Sequence, residues 1–169
     1  MARATPLGYS TTQIVLHWVI AALVLFQLLF NQGMQEAWDA IEKGAPAGGF
    51  NIHAVIGLLT FVLVLWRIGL RLTRGAPAAP VEEHPALKFL GIAVHVLLYA
   101  LILLLPLGGA MAWIFGVQQA AQIHSTVQVL LWPLIGLHIL GALAHAFVFR
   151  TGVMRRMLVP ERDQNRSGG

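Results

Sequence analysis

The sequence predicts an all-α membrane protein, a four-transmembrane-helix bundle with both termini cytoplasmic. The first observation is composition, since 57% of the 169 residues are hydrophobic and only 11% are charged, with a mean hydropathy of +0.73. A soluble domain of this size cannot bury that much apolar surface. The second observation is a succession of four long apolar runs, at 14–30, 52–70, 87–115 and 127–149. The third is the placement of the basic residues.

Each apolar run can supply the roughly 20 residues that a membrane-spanning helix needs. In chain order, the helices are expected at about 11–31, 51–73, 85–115 and 122–150. The first is too long for the core of a signal peptide, so it is expected to be retained. Pro106 is expected to kink the third helix or to end it early. Residues 1–169 are expected to form one membrane domain, with a disordered cytoplasmic tail at 160–169.

Orientation follows from the Lys and Arg residues. Ten of the eleven lie in the N-terminal tail, in 67–88 or from residue 150 onward, and only Lys43 lies on the opposite side. The positive-inside rule therefore predicts cytoplasmic termini. The same charge predicts contact with anionic membrane lipid, and the absence of any nucleic-acid-binding motif argues against a nucleic-acid partner. Because cysteine is absent, disulfides, iron–sulfur clusters and covalently attached c-type haem are excluded.

The histidines are the main candidates for function. His124, His138 and His145 lie in the last apolar run at steps of fourteen and seven residues, which return to nearly the same helix face. Ionisable groups inside a membrane usually mark cofactor, ion or substrate positions. The predicted topology puts His53 and His124 near the outer face. It puts His17 and His138 in the inner half, about 21 Å further along the last helix at ~1.5 Å per residue.

Two pairs at two depths predict a bundle enclosing two b haems, since haem iron accepts two axial imidazoles and bundle cores hold such cofactors. Six-coordinate iron of this kind passes electrons and does not bind dioxygen. Arg67 is interpreted either as a partner of a haem propionate or as a positive-inside anchor. His95 and His145 are interpreted as quinone-carbonyl donors, proton relays or supports for a neighbouring helix. The alternative from another class is a histidine-lined transporter or metal-binding bundle without haem, which predicts histidines converging at one depth.

Several short motifs stand in a characteristic order along the chain. They are Tyr9-Ser10, Leu16-His17-Trp18, Ile52-His53 with Gly57, Arg67 and Arg71, His95 with Leu98-Tyr99, Pro106-x-x-Gly109, His124, Gly136-Leu137-His138, Ala144-His145, and Arg156-Met157 before Pro160. In this order and spacing, the chain resembles the prokaryotic cytochrome b561 family of four-helix, di-haem b membrane proteins over about residues 9–159.

The resemblance implies roles for individual residues. His53 and His124 would hold a haem near the periplasm, and His17 and His138 would hold one near the cytoplasm. His145 would lie beside a quinone near the inner haem. The b-type subunits of formate dehydrogenases and nickel–iron hydrogenases look similar in ligand arrangement, and they pass electrons from a periplasmic partner to quinone.

One member of the narrower family acts as a superoxide oxidase that reduces ubiquinone. The expected function is therefore a protein of the bacterial inner membrane that oxidises superoxide at the periplasmic face and delivers electrons through two haem b groups to ubiquinone. A positive surface would speed the encounter with an anion, yet the first outer loop carries Glu36, Asp39 and Glu42 against Lys43. A cytochrome subunit serving a periplasmic oxidoreductase therefore stays as the alternative.

Overall fold

A computed structural model describes residues 6–46, 49–78 and 84–161, and all regular structure within them is helical. The helices are α1 (Thr11–Leu29), α2 (Gln32–Glu42), α3 (Ile52–Arg74), α4 (Pro85–Phe115), α5 (Gln118–Val148) and the short α6 (Val153–Arg156). Of these, α1, α3, α4 and α5 are long and apolar enough to cross a membrane. The expected four-helix membrane architecture is thus confirmed.

Local chemistry sets where the spanning helices begin and end. Ser10 caps α1 in a reciprocal capping box with Gln13, and the Asn51 side chain caps α3 by accepting from the His53 N–H at 2.9 Å. Pro85 occupies the first turn of α4, where no N–H is needed. Gly75 after α3 and Gly116 after α4 both have positive φ, 85° and 66°, which glycine adopts without strain.

Of the two outcomes expected at Pro106, a kink or an early end, the early end does not occur, because α4 continues through it to Phe115. Neighbouring helices can stabilise a spanning helix across a proline. The outer loop expected between the third and fourth spans shrinks to Gly116 and Val117, because the last span begins at Gln118 rather than at 122. The segment 118–123 is polar but rich in Gln and Ala, which favour helix, so a hydropathy criterion starts the span too late.

The last span, α5, is not uniform along its length. Its α-helical part is interrupted by a 3₁₀ turn at Gln128–Leu130 and ends in a π turn at Ala144–Val148. The 3₁₀ turn lies just before Pro133, which lacks the N–H that would bond the Val129 carbonyl. At the other end, the Phe149 N–H donates to the Ala144 carbonyl at 2.9 Å, five residues back.

The helix α2 lies in a segment that the sequence analysis predicts to be an outer loop. Its half-buried Met34, Trp38 and Ile41 recur at helical spacing on one face, while Glu36 and Asp39 are exposed. Such a short amphipathic helix has too little apolar sequence to register as a span.

The core lies where α1, α3 and α4 meet and where α4 packs along α5. Val64 is 1% exposed and packs with Leu16 and Ile20 in one cluster, and Val94, Leu98, Leu105 and Leu131 form the other. The outward surface is strongly apolar, with Leu72, Phe89 and Phe147 each more than 70% exposed. An apolar belt of this extent suits lipid rather than water.

Both described chain ends lie at one end of the bundle, which we call the terminal end. The opposite end, with α2 and the 116–117 turn, is called the loop end. At the terminal end Glu161 accepts from the Leu7 N–H at 3.0 Å, and the Glu161 N–H donates to the Tyr9 carbonyl at 3.1 Å. Of the tail predicted to be disordered, 160–169, the structure describes only 160–161, and 162–169 lie outside the described residues, so the disorder stays a prediction.

Candidate cofactor site

At the loop end, His53 and His124 face each other. His53 lies in the first turn of α3 and His124 in the first part of α5, and both side chains are half-buried. Their ring centres are 6.1 Å apart and the ring planes are inclined at 71°. This pair is called the loop-end pair.

At the terminal end, three histidines meet. The His17 ring on α1 and the His138 ring on α5 are 6.0 Å apart at 72°. His95 on α4 lies still closer to His138, at 5.0 Å and 88°, and Trp18 packs edge-on against His17 at 5.3 Å. These three histidines are called the terminal cluster. The pairs predicted from sequence spacing are therefore also pairs in space.

The separation of each pair tests whether one metal fits between the rings. Two metal–nitrogen bonds of about 2 Å, plus about 1.1 Å from each nitrogen to its ring centre, give roughly 6 Å. Both pairs, at 6.0 and 6.1 Å, have this spacing. Within residues 6–46, 49–78 and 84–161, no three metal-ligating side chains form a metal site by themselves. The donor set thus fits a cofactor that brings its own equatorial ligands, as haem does.

The histidine pairs lie on the less tightly packed side of the bundle. The closely packed helix pairs are α1 with α3, α3 with α4, and α4 with α5. The histidine pairs instead join α5 to α1 and to α3, across the less tightly packed side of the bundle. At the loop end this side has a cleft lined mainly by apolar side chains with Gln27, Thr60 and Gln128.

The orientation of His124 is fixed by the backbone of α4. Its Nδ1 is 2.8 Å from the Leu105 carbonyl oxygen, which can only accept, so Nδ1 carries the proton and Nε2 keeps its lone pair. Gly109 lies against the same ring, and a Cβ there would stand 3.2 Å from two ring atoms. The absence of a side chain at Gly109 therefore lets the His124 ring sit against α4.

His53 is approached by the amide of Gln27 from α1. In the amide orientation that pairs donors with acceptors, Gln27 Nε2 donates to His53 Nδ1 at 2.9 Å and to the His53 carbonyl at 3.0 Å. Its Oε1 accepts from the Gly57 N–H at 3.2 Å. A Cβ on buried Gly57 would lie 3.4 Å from the end of the Gln27 side chain. The Gln27 amide thus lies against Gly57, one turn after His53 on α3.

The terminal cluster is held differently. Among the described residues, neither the His17 ring nor the His138 ring takes part in a hydrogen bond. Arg67, interpreted from the sequence as a propionate partner or a positive-inside anchor, lies near the terminal cluster. Its Nε donates to the Tyr99 hydroxyl at 3.0 Å, and its Nη1 donates to the Gln13 carbonyl. Arg67 therefore links α3 to α4 and to α1, beside a small cleft also lined by Tyr9 and Arg71.

His95 and His145, grouped by sequence as quinone-site candidates, occupy different surroundings. His95 Nδ1 is 2.6 Å from the Gly91 carbonyl of its own helix, so its Nε2 is the acceptor, and its side chain is exposed beside His138. His145 lies in the π turn, with Nδ1 3.1 Å from Thr151 Oγ1 and the Phe149 ring 5.5 Å away. π turns are frequent at functional sites.

Three supports of the site escaped the sequence analysis. They are the Gln27 amide, the Leu105 carbonyl and the Tyr99 hydroxyl as partner of Arg67. Gln27 carried a usable signal, since it is an amide within an otherwise apolar run. A backbone carbonyl has no signature in sequence, because every residue supplies one.

Comparison with known proteins shows the family of the chain. The pattern of the prokaryotic cytochrome b561 family matches residues 8–160. Cytochrome b562 of Cereibacter sphaeroides is 39% identical over 158 residues, covering 90% of this chain and 96% of that protein. A protein of Yersinia pestis named probable superoxide oxidase CybB is 28% identical over 183 residues, covering 91% and 97% of the two chains. The chain therefore belongs to the prokaryotic cytochrome b561 family, a family of electron-transfer membrane proteins for which haem b is implied.

Proposed function

We propose that this protein is a di-haem b oxidoreductase of the bacterial inner membrane that takes single electrons from superoxide at the periplasmic face and reduces ubiquinone. His53 and His124 serve as axial ligands at the loop end, which faces the periplasm. His17 and His138 serve as axial ligands at the terminal end, which faces the cytoplasm. Both termini are then cytoplasmic, as the distribution of Lys and Arg favours.

One observation carries the proposal. The ring centres of the two histidine pairs are 6.0 and 6.1 Å apart, and the α5 members of the pairs, His124 and His138, are fourteen residues apart. That spacing supports two cofactors, one above the other. A haem-free metal-binding bundle or transporter would instead favour histidines converging at one level. The name of the Yersinia pestis relative supports superoxide as the donor.

The chain's own residues supply position and protons. Haem iron, when bound, supplies reversible one-electron chemistry. Each superoxide gives up one electron and leaves as dioxygen, and two electrons with two protons convert ubiquinone to ubiquinol. His95, with its side chain exposed beside His138, can take up a proton at Nε2 and pass it to a quinone oxygen at the terminal end, and His145, in the π turn, is the second imidazole suited to proton transfer there. Arg67 offers a guanidinium to a propionate there.

The acidic face of α2 favours a second donor class. Glu36 and Asp39 are exposed at the loop end, and Glu42 accepts from the Trp38 indole N–H at 3.2 Å. A negatively charged surface of this kind slows the approach of an anion and speeds that of a cation. The alternative is therefore a cytochrome subunit that receives electrons from a periplasmic redox protein with a basic docking face.

The first experiment is a reduced-minus-oxidised spectrum of the protein purified after growth with ample haem. A haem b spectrum with about two haems per chain by pyridine haemochrome is the expected result. A colourless protein would contradict the whole proposal.

The second experiment separates the two donors by mixing the oxidised protein, without oxygen, with superoxide and a ubiquinone analogue. Superoxide as donor predicts haem reduction and ubiquinol formation that superoxide dismutase abolishes. The rate of haem reduction by superoxide should rise with ionic strength, because salt screens the acidic face of α2. The matched E36Q/D39N variant should show a faster rate and a weaker salt effect. Failure of superoxide to reduce the haem would leave the protein donor as the function.

A further inference from the structure

The two histidines of the loop-end pair have different partners on Nδ1. His124 Nδ1 faces the Leu105 carbonyl, a pure acceptor, so this imidazole has one tautomer only, with Nε2 free to bind a metal. His53 Nδ1 faces a carboxamide, which can accept through oxygen or donate through nitrogen depending on which way it is turned. The pair therefore joins one preset imidazole to one whose tautomer depends on Gln27.

We propose that Gln27 is the positioning residue of the loop-end site, setting the tautomer, ring angle and basicity of His53. This rests on the proposed role of His53 as an axial ligand. Gln27 does not touch the iron, and it acts only through the imidazole.

The contacts of the amide show why its orientation is coupled to the ligand state. With nitrogen toward His53, the amide satisfies three groups at 2.9–3.2 Å, but it requires an unprotonated Nδ1. When Nε2 binds a metal, the neutral imidazole keeps its proton on Nδ1 and needs an acceptor. The amide then turns its oxygen to Nδ1 and releases the contacts with the His53 carbonyl and the Gly57 N–H. Loading the loop-end site therefore reverses this amide between α1 and α3.

The site is built to hold Gln27 in this place. Its side chain reaches from α1 to the start of α3, where the amide lies against buried Gly57. The same turn is anchored by Asn51, which accepts from the His53 N–H at 2.9 Å. The His53 backbone and ring are thus positioned from two directions, by its own helix cap and by a neighbouring helix.

The test measures the midpoint potentials of both haems in holoprotein variants by redox titration. A stronger acceptor on Nδ1–H makes a ligating imidazole more basic, which favours ferric iron and lowers the potential. Q27E is therefore expected to lower the loop-end potential, and Q27M, which removes the acceptor, is expected to raise it. The terminal haem should be unaffected in both, and the low-spin EPR signal of the loop-end haem should shift in both.

Gln128 provides matched controls, because it lines the same cleft without a hydrogen bond to His53. Q128E reports the through-space effect of a carboxylate, and Q128M reports the effect of lost polarity. If the Q27 shifts equal those of the Q128 variants, or if Q27M leaves the potential unchanged, the role of Gln27 is refuted. Q27M alone decides the question if Q27E fails to fold.

The ligand assignment is tested separately by H53A. Loss of the loop-end haem in H53A with no shift in Q27M would overturn the inference and leave the proposed function intact. Retention of both haems in H53A would overturn the ligand assignment itself.

Discussion

The loop-end pair and the terminal cluster have nearly the same ring spacing and inclination, yet they are held in different ways. At the loop end, both rings have a polar partner on Nδ1, the Leu105 carbonyl for His124 and the Gln27 amide for His53. At the terminal end, His17 and His138 are positioned by ring contacts with Trp18 and His95. Arg67 lies near His17 and His138, but its hydrogen bonds go to Tyr99 and Gln13.

The difference separates orientation by hydrogen bonds from orientation by packing. A hydrogen-bonded imidazole has a set tautomer and a tuned basicity. At the terminal end, no hydrogen bond among the described residues sets the tautomer of His17 or His138, and His95 beside His138 adds an imidazole whose Nε2 is an acceptor. The loop end thus sets its ring nitrogens by polar partners, whereas the terminal end has an imidazole at which a proton can be exchanged. The proposed reduction of a quinone at the terminal end needs such an exchange, because protons accompany the electrons.

The largest expected effect comes from replacing the α5 histidines one at a time. H124A should lose the loop-end haem and H138A the terminal haem, so each variant should retain about half of the pyridine haemochrome signal. Redox titration should show a different surviving potential in each variant. H84N is the control, because His84 lies at the start of α4 outside both sites. Identical midpoint potentials for the haem retained in H124A and in H138A would contradict the assignment of the two histidines to different haems.

A smaller effect is expected at the close contact of α4 with His124. G109A places a Cβ 3.2 Å from the ring, whereas G108A meets nothing within 4 Å. G109A should displace the ring, shift the loop-end potential and destabilise the protein by about 1–3 kcal/mol, as overpacking does. G108A should do neither. A terminal haem perturbed by G109A would show that the two levels are mechanically coupled.

The smallest expected effect concerns the hydrogen bond from Arg67 to Tyr99. Y99F removes the hydroxyl that accepts from Arg67 Nε at 3.0 Å, and it should lower the free energy of unfolding in detergent by about 0.5–1.5 kcal/mol. Y9F is matched, since Tyr9 lines the same cleft and its hydroxyl has no hydrogen bond among the described residues. Equal stabilities for Y99F and Y9F would remove the hydrogen bond from Arg67 to Tyr99 from the supports of the terminal end.

Hydropathy predicted the four spanning helices because about 20 apolar residues in succession have few other stable arrangements. It missed α2, whose apolar face has only a few residues. It also began the last span too late, because Gln118 and its neighbours are polar yet helical. Hydropathy measures the preference of a segment for lipid over water. A helix in a bundle can extend beyond the part that contacts lipid, and hydropathy does not detect that extension.

The histidine pairs were predictable for a different reason. A step of fourteen residues on one helix is a geometric statement, and topology then matches each ring to a partner of similar depth. The atoms that hold the rings were not predictable, because they depend on how α4 and α1 approach α5 and α3. The contacts of His124 with the Leu105 carbonyl and of His53 with the Gln27 amide exist only in the packed bundle.

The fact that α5 donates one histidine to each level has a consequence for biosynthesis. Chains are made from the N-terminus, so α1 and α3 are made while His17 and His53 still lack their partners. Neither pair exists until the last span has been made, and the Glu161 contacts with Leu7 and Tyr9 form later still. Any group held between the paired rings is therefore inserted after translation of the final helix, and a prematurely terminated chain carries neither site.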